Sequence, residues 1–354
     1  MWSSVSFATS ISSSRRGRVG RRRRRCSPTA RSWSTSSCGS GWWPSFCTCF
    51  PVSLGEIVER RVRAYAKINL GLRVLSRRPD GFHEIDTLLQ SIDLADRLIF
   101  RLRSDGRLLV RADRPDVPDG ADNLVHRALG LLRAEAGRPE LGMEVEIEKR
   151  IPPGAGLGGG SSDAACALLA GRRLWDLTET VPSLAGLAAA VGSDVPFFLR
   201  GGLCRATGRG EKLEALDGLG RVAFGLVLLP VGLATAQVYR RHALSLTRKP
   251  LNARMAHQLT GVGDARDLAD LLVNDLEATA RAMLPELKLH MDRLRSSGIE
   301  IVTMTGSGSA FYFWPAAGGR MRRARELLRG TGCRVERVRA TRRGWIWDDR
   351  RRTG

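Results

Sequence analysis

Thirteen residues, Ile151-Pro152-Pro153-Gly154-Ala155-Gly156-Leu157-Gly158-Gly159-Gly160-Ser161-Ser162-Asp163, include five glycines and close on two serines and an aspartate. Glycines at this density leave backbone N–H groups uncovered. A helix that starts at the serines adds its own unpaired N–H groups and the positive end of its dipole. Together they form a cradle for phosphate. Gly154, Gly156 and Gly159 also fit a dinucleotide-binding spacing, with Asp176 about 20 residues on, where a ribose-binding acid would stand. That acid should end a buried strand, but Asp176 follows Gly171-Arg172-Arg173-Leu174-Trp175, and the loop lies deep in the chain and not at a first strand–helix turn. A Walker loop ends in Gly-Lys-Ser/Thr, whereas Gly160 is followed directly by Ser161. A purely structural turn accounts poorly for so many glycines ahead of two serines.

The elements that must hold this cradle can be read from periodicity. Residues 61–75 alternate: Val62, Ala64, Ala66, Ile68, Leu70, Leu72 and Val74 fall on one face, and Tyr65, Lys67 and Asn69 on the other. This predicts a strand with Lys67 and Asn69 side by side. A turn at Arg78-Pro79-Asp80-Gly81 leads to Phe82 and His83, and further strand is expected over 85–103. Asp122 or Asn123 can cap a helix carrying Leu124, Ala128, Leu131 and Leu132. Glu144–Lys149 alternates with Val145 and Ile147 inward, and helix is expected over Ala164–Ala170 and from Pro182 to Gly192. A hairpin-like stretch spans Gly201–Gly210, and a strand spans Phe224–Leu229. Helix is expected around 235–246, 264–294 and 319–329, with strands near 301–313 and 333–340 interrupted by Gly306-Ser307-Gly308. Strands and helices mix without a regular βαβ repeat, so the expected fold class is α+β. A boundary just before the Phe224 strand divides the body into domains at 58–220 and 221–343, with a tail at 344–354.

The 354 residues carry a net charge of +21, unevenly placed. Residues 1–55 hold nine arginines and no acid, which leaves +12 on the remainder. Residues 1–57 read as a disordered extension, a Ser- and Arg-rich transit-like segment, or translated upstream sequence. A basic arm for nucleic acid is the sharper alternative, and nucleic acid is not the expected partner. Arginine supplies most of the positive charge and there are only five lysines, Lys67 and Lys149 among them. Seven scattered cysteines suggest no disulfide framework, and the histidines and cysteines form no cluster, so no structural metal is expected. No apolar run reaches membrane-spanning length. The expected compartment is the cytoplasm, or the plastid stroma if the N-terminal segment is a transit peptide.

Pro152-Pro153-Gly154-Ala155-Gly156-Leu157-Gly158-Gly159-Gly160-Ser161-Ser162 resembles the ATP loop of the GHMP kinases. Four further segments agree in order: Ala64–Leu70, Asp80–Ile85, Gly192–Phe198 and Thr305–Ser309. The likeness runs from about residue 60 to 342. It implies a two-domain fold with an ATP and substrate cleft between the domains, ATP as phosphoryl donor, and Mg2+ with the nucleotide. The triple glycine is similar to a branch that phosphorylates the 2-hydroxyl of a cytidine-diphosphate-linked methylerythritol in isoprenoid precursor synthesis. A homoserine or mevalonate type is the alternative.

The resemblance also implies residue roles. Asp194 is the candidate base, and Lys67 its neighbouring cation near the γ-phosphate. Gly154–Ser162, with Pro152 and Pro153, would wrap the ATP phosphates, with Ser161 or Ser162 near magnesium. Asn69 would bind the substrate diphosphate or hydroxyls, Phe82 would stack on cytosine and His83 would read its edge. Gly306 and Ser307 would lie on the substrate side. Phe82 stands where the family often has tyrosine, which keeps the aromatic face and loses a hydroxyl. Outside the resemblance, Lys67 and Asn69 would read as solvated strand residues, Asp194 as a cap and His83 as a surface turn residue.

Overall fold

The structure is a computed structural model, and it describes residues 59–219, 222–242, 250–251 and 271–348. Residues 1–58, and with them the whole of the expected extension, lie outside the described residues, as do the end of the helix expected over 235–246, the start of that over 264–294 and residues 349–354 of the expected tail.

A mostly antiparallel seven-stranded sheet forms the first half. It contains β1 (Glu59–Arg77), β2 (His83–Arg103), β3 (Leu108–Ala112), β4 (Gly142–Glu148), β5 (Leu203–Gly208), β6 (Lys212–Leu216) and β11 (Trp345–Trp347). Its main path runs β11-β1-β2-β4-β3, and only β3 and β4 pair in parallel. Along the edge away from β1 the long β2 serves two partners, because Arg97–Arg103 pairs with β4 while Ile85–Gln90 pairs with β5. Helices α1 (Leu124–Glu135), α2 (Gly159–Leu174), α3 (Ala185–Val191) and α4 (Val195–Arg200) share a core with one side of this sheet. Asn123 caps α1, accepting a hydrogen bond from Val125 N–H at 2.9 Å.

The second half is a four-stranded antiparallel sheet in the order β10-β7-β9-β8, built from β7 (Ala223–Leu228), β8 (Ile301–Met304), β9 (Phe311–Trp314) and β10 (Arg334–Arg339). Helices α5 (Thr235–Arg241), α6 (Glu277–Met283), α7 (Pro285–Ser296) and α8 (Arg320–Leu327) accompany it. The strand mixture is α+β, as expected. Among the described residues no helix is long and apolar enough to cross a membrane.

Four expectations need correction. The alternating apolar set of β1 does not share one face. A bulge between Tyr65 and Ala66 breaks the register. Val62 and Ala64 therefore join the core with α1–α4, whereas Ala66, Ile68 and Leu70 join Leu226 and Tyr312 of the second sheet. Lys67 and Asn69 are buried as a result. The helix expected from Pro182 begins at Ala185, because the first helical carbonyl is that of Leu184. The helix expected over 264–294 is broken: residues 271–276 are not helical, and Leu284, pushed to an extended conformation ahead of Pro285, separates α6 from α7. The segment expected as a tail also contributes β11, whose Trp345–Trp347 pairs with Val62–Ala64.

Candidate active site

The glycine loop runs from the end of β4 to the start of α2. Gly154, Gly156 and Gly158 all have positive φ, at 65°, 76° and 72°. Neighbouring strands and turns take up its carbonyls: Lys67 N–H donates to Leu157 O at 3.0 Å, Ala310 N–H to Ala155 O at 3.2 Å and Leu233 N–H to Gly154 O at 3.0 Å. Gly158 is the N-cap of α2, and its missing side chain matters. A Cβ there would stand 2.8 Å from the Phe198 ring and 3.2 Å from Lys67 Cγ. The α2 N-terminus therefore packs tightly against Lys67.

The two serines separate in role. The Ser162 hydroxyl is fully buried and donates to Tyr65 O at 2.7 Å. Ser161 lines the cleft. Asp163 turns inward to Lys149, whose ammonium lies 2.7 Å from it and 2.5 Å from Asp96. Asp96 in turn accepts the N–H groups of Arg150 and Ile151 at 2.6 and 2.8 Å, fixing the strand's exit into the loop. Burial pushes the Asp163 carboxyl up to about 7, against the pull of Lys149. For Lys149 burial acts downward, but the two carboxylates outweigh it and its proton is held more firmly than usual.

The cleft beside the loop has a volume of about 980 Å³. At its centre Lys67 Nζ donates to Asn69 Oδ1 at 2.6 Å and lies 3.7 Å from Asp194 Oδ2. The Lys67 side chain is only 5% exposed, while that of Asp194, the residue before α4, is 37% exposed. Burial lowers the Lys67 pKa, with the Asp194 charge opposing. Asn69 is held by Thr87, to which its Nδ2 donates at 2.8 Å, and its own N–H donates to Thr305 Oγ1 at 2.8 Å.

One end of the cleft is aromatic. The Asp80 carboxylate accepts from Phe82 N–H at 3.1 Å and Gly81 has a φ of +83°, which together form the turn that presents Phe82, 49% exposed, and His83. The His83 ring lies 5.1 Å from that of Tyr239 on α5, and the Arg209 guanidinium lies 4.7 Å from the Phe82 ring centre. Burial, then the charges of Arg77 and His242, hold His83 below its ordinary 6.5. Burial likewise raises the Tyr239 hydroxyl pKa. Across the centre, the Gly306-Ser307 turn abuts the glycine loop, and Ser307 Oγ lies 2.8 Å from Thr235 Oγ1. Val117, Pro118, Leu124 and Ile151 add apolar lining to the cleft.

All the residues expected at the site except Ser162 line this one cleft. Lys149, Tyr239 and Arg209 also line the cleft and Thr305 supports Asn69, and none of the four was assigned a role from sequence. For Lys149 a signal existed, since it is one of five lysines and stands two residues before Ile151. The other three are supplied by strand ends and a helix distant in sequence.

A glycine cradle at a helix start, with a buried lysine and a carboxylate facing it, is the equipment of a small-molecule phosphotransferase of the GHMP class. The family profile for the GHMP kinases N terminal domain matches residues 123–202. The chain is 43% identical over 249 residues to 4-diphosphocytidyl-2-C-methyl-D-erythritol kinase of Pelotomaculum thermopropionicum, covering 70% of this chain and 86% of that one. It is 40% identical over 271 residues to the same kinase of Moorella thermoacetica, covering 76% and 94%. A solved structure of 4-(cytidine 5'-diphospho)-2C-methyl-D-erythritol kinase superposes with a TM-score of 0.65 at 38% identity, covering 80% of this chain and all of that one. Homoserine kinase from Cytophaga hutchinsonii, at 17% identity and a TM-score of 0.61 over 82% and 97% of the chains, shares the fold. The chain belongs to the GHMP kinase family, in the branch that holds the 4-diphosphocytidyl-2-C-methyl-D-erythritol kinases.

Proposed function

We propose that the protein transfers the γ-phosphoryl group of ATP to the 2-hydroxyl of 4-diphosphocytidyl-2-C-methyl-D-erythritol, in non-mevalonate synthesis of isoprenoid precursors. The observation that carries the residue roles is the Lys67–Asp194 pair, 3.7 Å apart beside the glycine loop. Asp194, the more exposed partner, takes the proton of the attacking hydroxyl, whose oxygen bonds to the γ-phosphorus as the bond to the β-phosphate bridge breaks and ADP leaves. Lys67, held by Asn69, neutralises charge on the transferring group from inside a water-poor wall. The loop N–H groups and the α2 dipole hold the phosphates. Magnesium bound with ATP would supply further charge neutralisation. Ser161 would help to hold it, because Ser161 lines the cleft while the Ser162 hydroxyl is spent on Tyr65.

The apolar lining at Val117, Pro118 and Leu124 suits the adenine, which leaves the aromatic end for cytosine. Phe82 and Tyr239 offer ring faces there, and His83, kept neutral, offers one ring donor and one acceptor. We assign the loop, Lys67 and Asp194 to an N-terminal domain at 58–220 and the Gly306-Ser307 turn to a C-terminal domain at 221–343. We place the reaction in the cytoplasm, and sequencing the N-terminus of the native protein tests this, since a cleaved transit segment within residues 1–57 would put it in the plastid stroma.

Purified protein given ATP, magnesium and the cytidylyl-methylerythritol substrate should release ADP. Silence on that substrate with turnover on homoserine or mevalonate would sink the reading in favour of another GHMP kinase.

A further inference from the structure

Asn274 belongs to none of the motifs that carry the chemistry, yet it grips one of them. The stretch Val273–Leu276 runs beside β1 just past Asn69. Leu72 N–H donates to Val273 O at 2.7 Å, Asp275 N–H donates to Leu72 O at 3.0 Å, and Leu72 and Asn274 form a parallel bridge. The Asp275 carboxylate accepts from Val74 N–H at 2.9 Å and pairs with Arg73 at 3.0 Å. This close approach requires Gly71, because a Cβ there would come within 2.2 Å of Leu271 O.

Anchored on β1 from one side, Asn274 reaches the turn after β8 on the other. Its Nδ2 donates to both Met304 O and Gly306 O, each at 2.8 Å, and its Oδ1 accepts from Leu276 N–H at 3.0 Å. Both amide protons and the oxygen are therefore used. Glu277 adds to the grip, accepting from Met304 N–H at 3.2 Å and from Arg295 at 2.7 Å.

The gripped turn sits against the reacting groups. Gly306 has a φ of +57°, and a Cβ on it would stand 3.2 Å from Lys67 Nζ and 2.9 Å from Gly156 O. In a trans peptide the C=O and N–H point in opposite directions. With the Gly306 carbonyl tied to Asn274, the Ser307 N–H points away from Asn274. Gly306 and Ser307 line the cleft.

We propose that Asn274 is a positioning residue for phosphoryl transfer: by tying the Gly306 carbonyl it aims the Ser307 N–H into the cleft and seats the turn against Lys67. This deepens the kinase reading above and rests on it. A purely structural Asn274 would join two parts of the fold and affect turnover only through stability.

The test compares the full chain with Asn274→Ala and Asp275→Asn, using ATP, magnesium and the cytidylyl substrate, with kcat, both KM values and melting temperature measured. Asn274→Ala lowers kcat roughly ten- to a hundredfold at temperatures where it is folded, the cost of misplacing a group by about an ångström. Its KM for ATP stays within roughly twofold, since it removes no contact made to the nucleotide alone. Asp275→Asn loses the Arg73 ion pair and leaves the Asn274 bonds intact, so it lowers the melting temperature while kcat stays within about twofold. Equal losses of kcat at equal drops in melting temperature, or an unchanged kcat in folded Asn274→Ala, overturn the proposal. If Asn274→Ala does not fold, the near-isosteric Asn274→Asp, which keeps an acceptor and has no proton to give the carbonyls, carries the same expectation; if neither folds, Asn274 is structural and the proposal falls. An inactive wild type would overturn the functional reading, whereas active wild type and equally active variants would overturn this inference alone.

Discussion

Lys67→Met separates catalysis from stability. Methionine keeps an unbranched chain of similar length and removes the ammonium. In the folded protein that ammonium is 5% exposed, beside Asn69 and 3.7 Å from a carboxylate that is itself over a third exposed. Burial lowers the Lys67 pKa below 10.5 despite Asp194, so the fold holds this proton less firmly than the unfolded chain does. The resulting penalty is full below the folded pKa and shrinks as pH rises from there toward 10.5. Losing the hydrogen bond to Asn69 costs about 1.5–3 kcal/mol. Removing a buried charge returns a similar amount, as replacing buried ions by apolar groups often does. The two offset, and stability should change by less than about 2 kcal/mol in either direction. Turnover should nonetheless fall about a hundred- to a thousandfold, the effect of deleting one preorganised donor aimed at transition-state charge. A coupled assay for ADP release at saturating substrates reads the first quantity, and denaturant unfolding reads the second. Turnover within about tenfold of wild type, or a loss of stability well beyond 3 kcal/mol, would show that Lys67 is a structural residue and not a catalytic one.

Other expectations follow from the same geometry. Gly158→Ala forces a left-handed φ on a residue with a Cβ and drives that atom to 2.8 Å from the Phe198 ring, so it should destabilise by about 2–4 kcal/mol and weaken ATP binding. Gly160→Ala, whose Cβ would meet only Leu124 at 3.5 Å, should be neutral or stabilising by up to about 1 kcal/mol, and denaturant melts of the pair compare them. Because His83 titrates below 6.5, the neutral ring is present at pH 7.5, and the substrate KM should stay flat down to the ordinary histidine range and rise on further acidification. His83→Ala should flatten that profile, and an unchanged acid limb would assign the titration elsewhere. Tyr239→Leu should raise KM for the cytidylyl substrate roughly tenfold through lost stacking while leaving KM for ATP unchanged in steady-state assays.

The parts of the site fixed by local rules could be read from the chain. Glycine spacing ahead of two serines marked the phosphate loop, since positive φ and bare N–H groups are properties of the residues themselves. Lys67 and Asn69 stand two apart on a strand, and their contact at 2.6 Å follows from that spacing. The bulge at Tyr65–Ala66 could not be read, because it depends on the register with β2 and nothing in the alternation marks it. Yet it decides which apolar residues of β1 meet the second sheet. The burial of Lys149 between Asp96 and Asp163 joins three segments far apart in sequence. The break at Leu284-Pro285 was legible in principle, since a proline restricts its predecessor. The Val273–Glu277 grip carries no periodic or turn signal of its own and exists only because β1 and the Gly306 turn flank it.

In the proposed reaction a phosphoryl group passes to the 2-hydroxyl of the methylerythritol moiety in the cleft between Lys67 and the glycine loop. Phosphorus NMR of the product made from ATP and the cytidylyl substrate tests it most directly. A new phosphomonoester signal, correlated with the carbon that bears the methyl group and accompanied by an intact cytidylyl diphosphate pair, is the expected result. A phosphate on another hydroxyl, loss of the diphosphate signals, or ADP appearing without a new ester would contradict it.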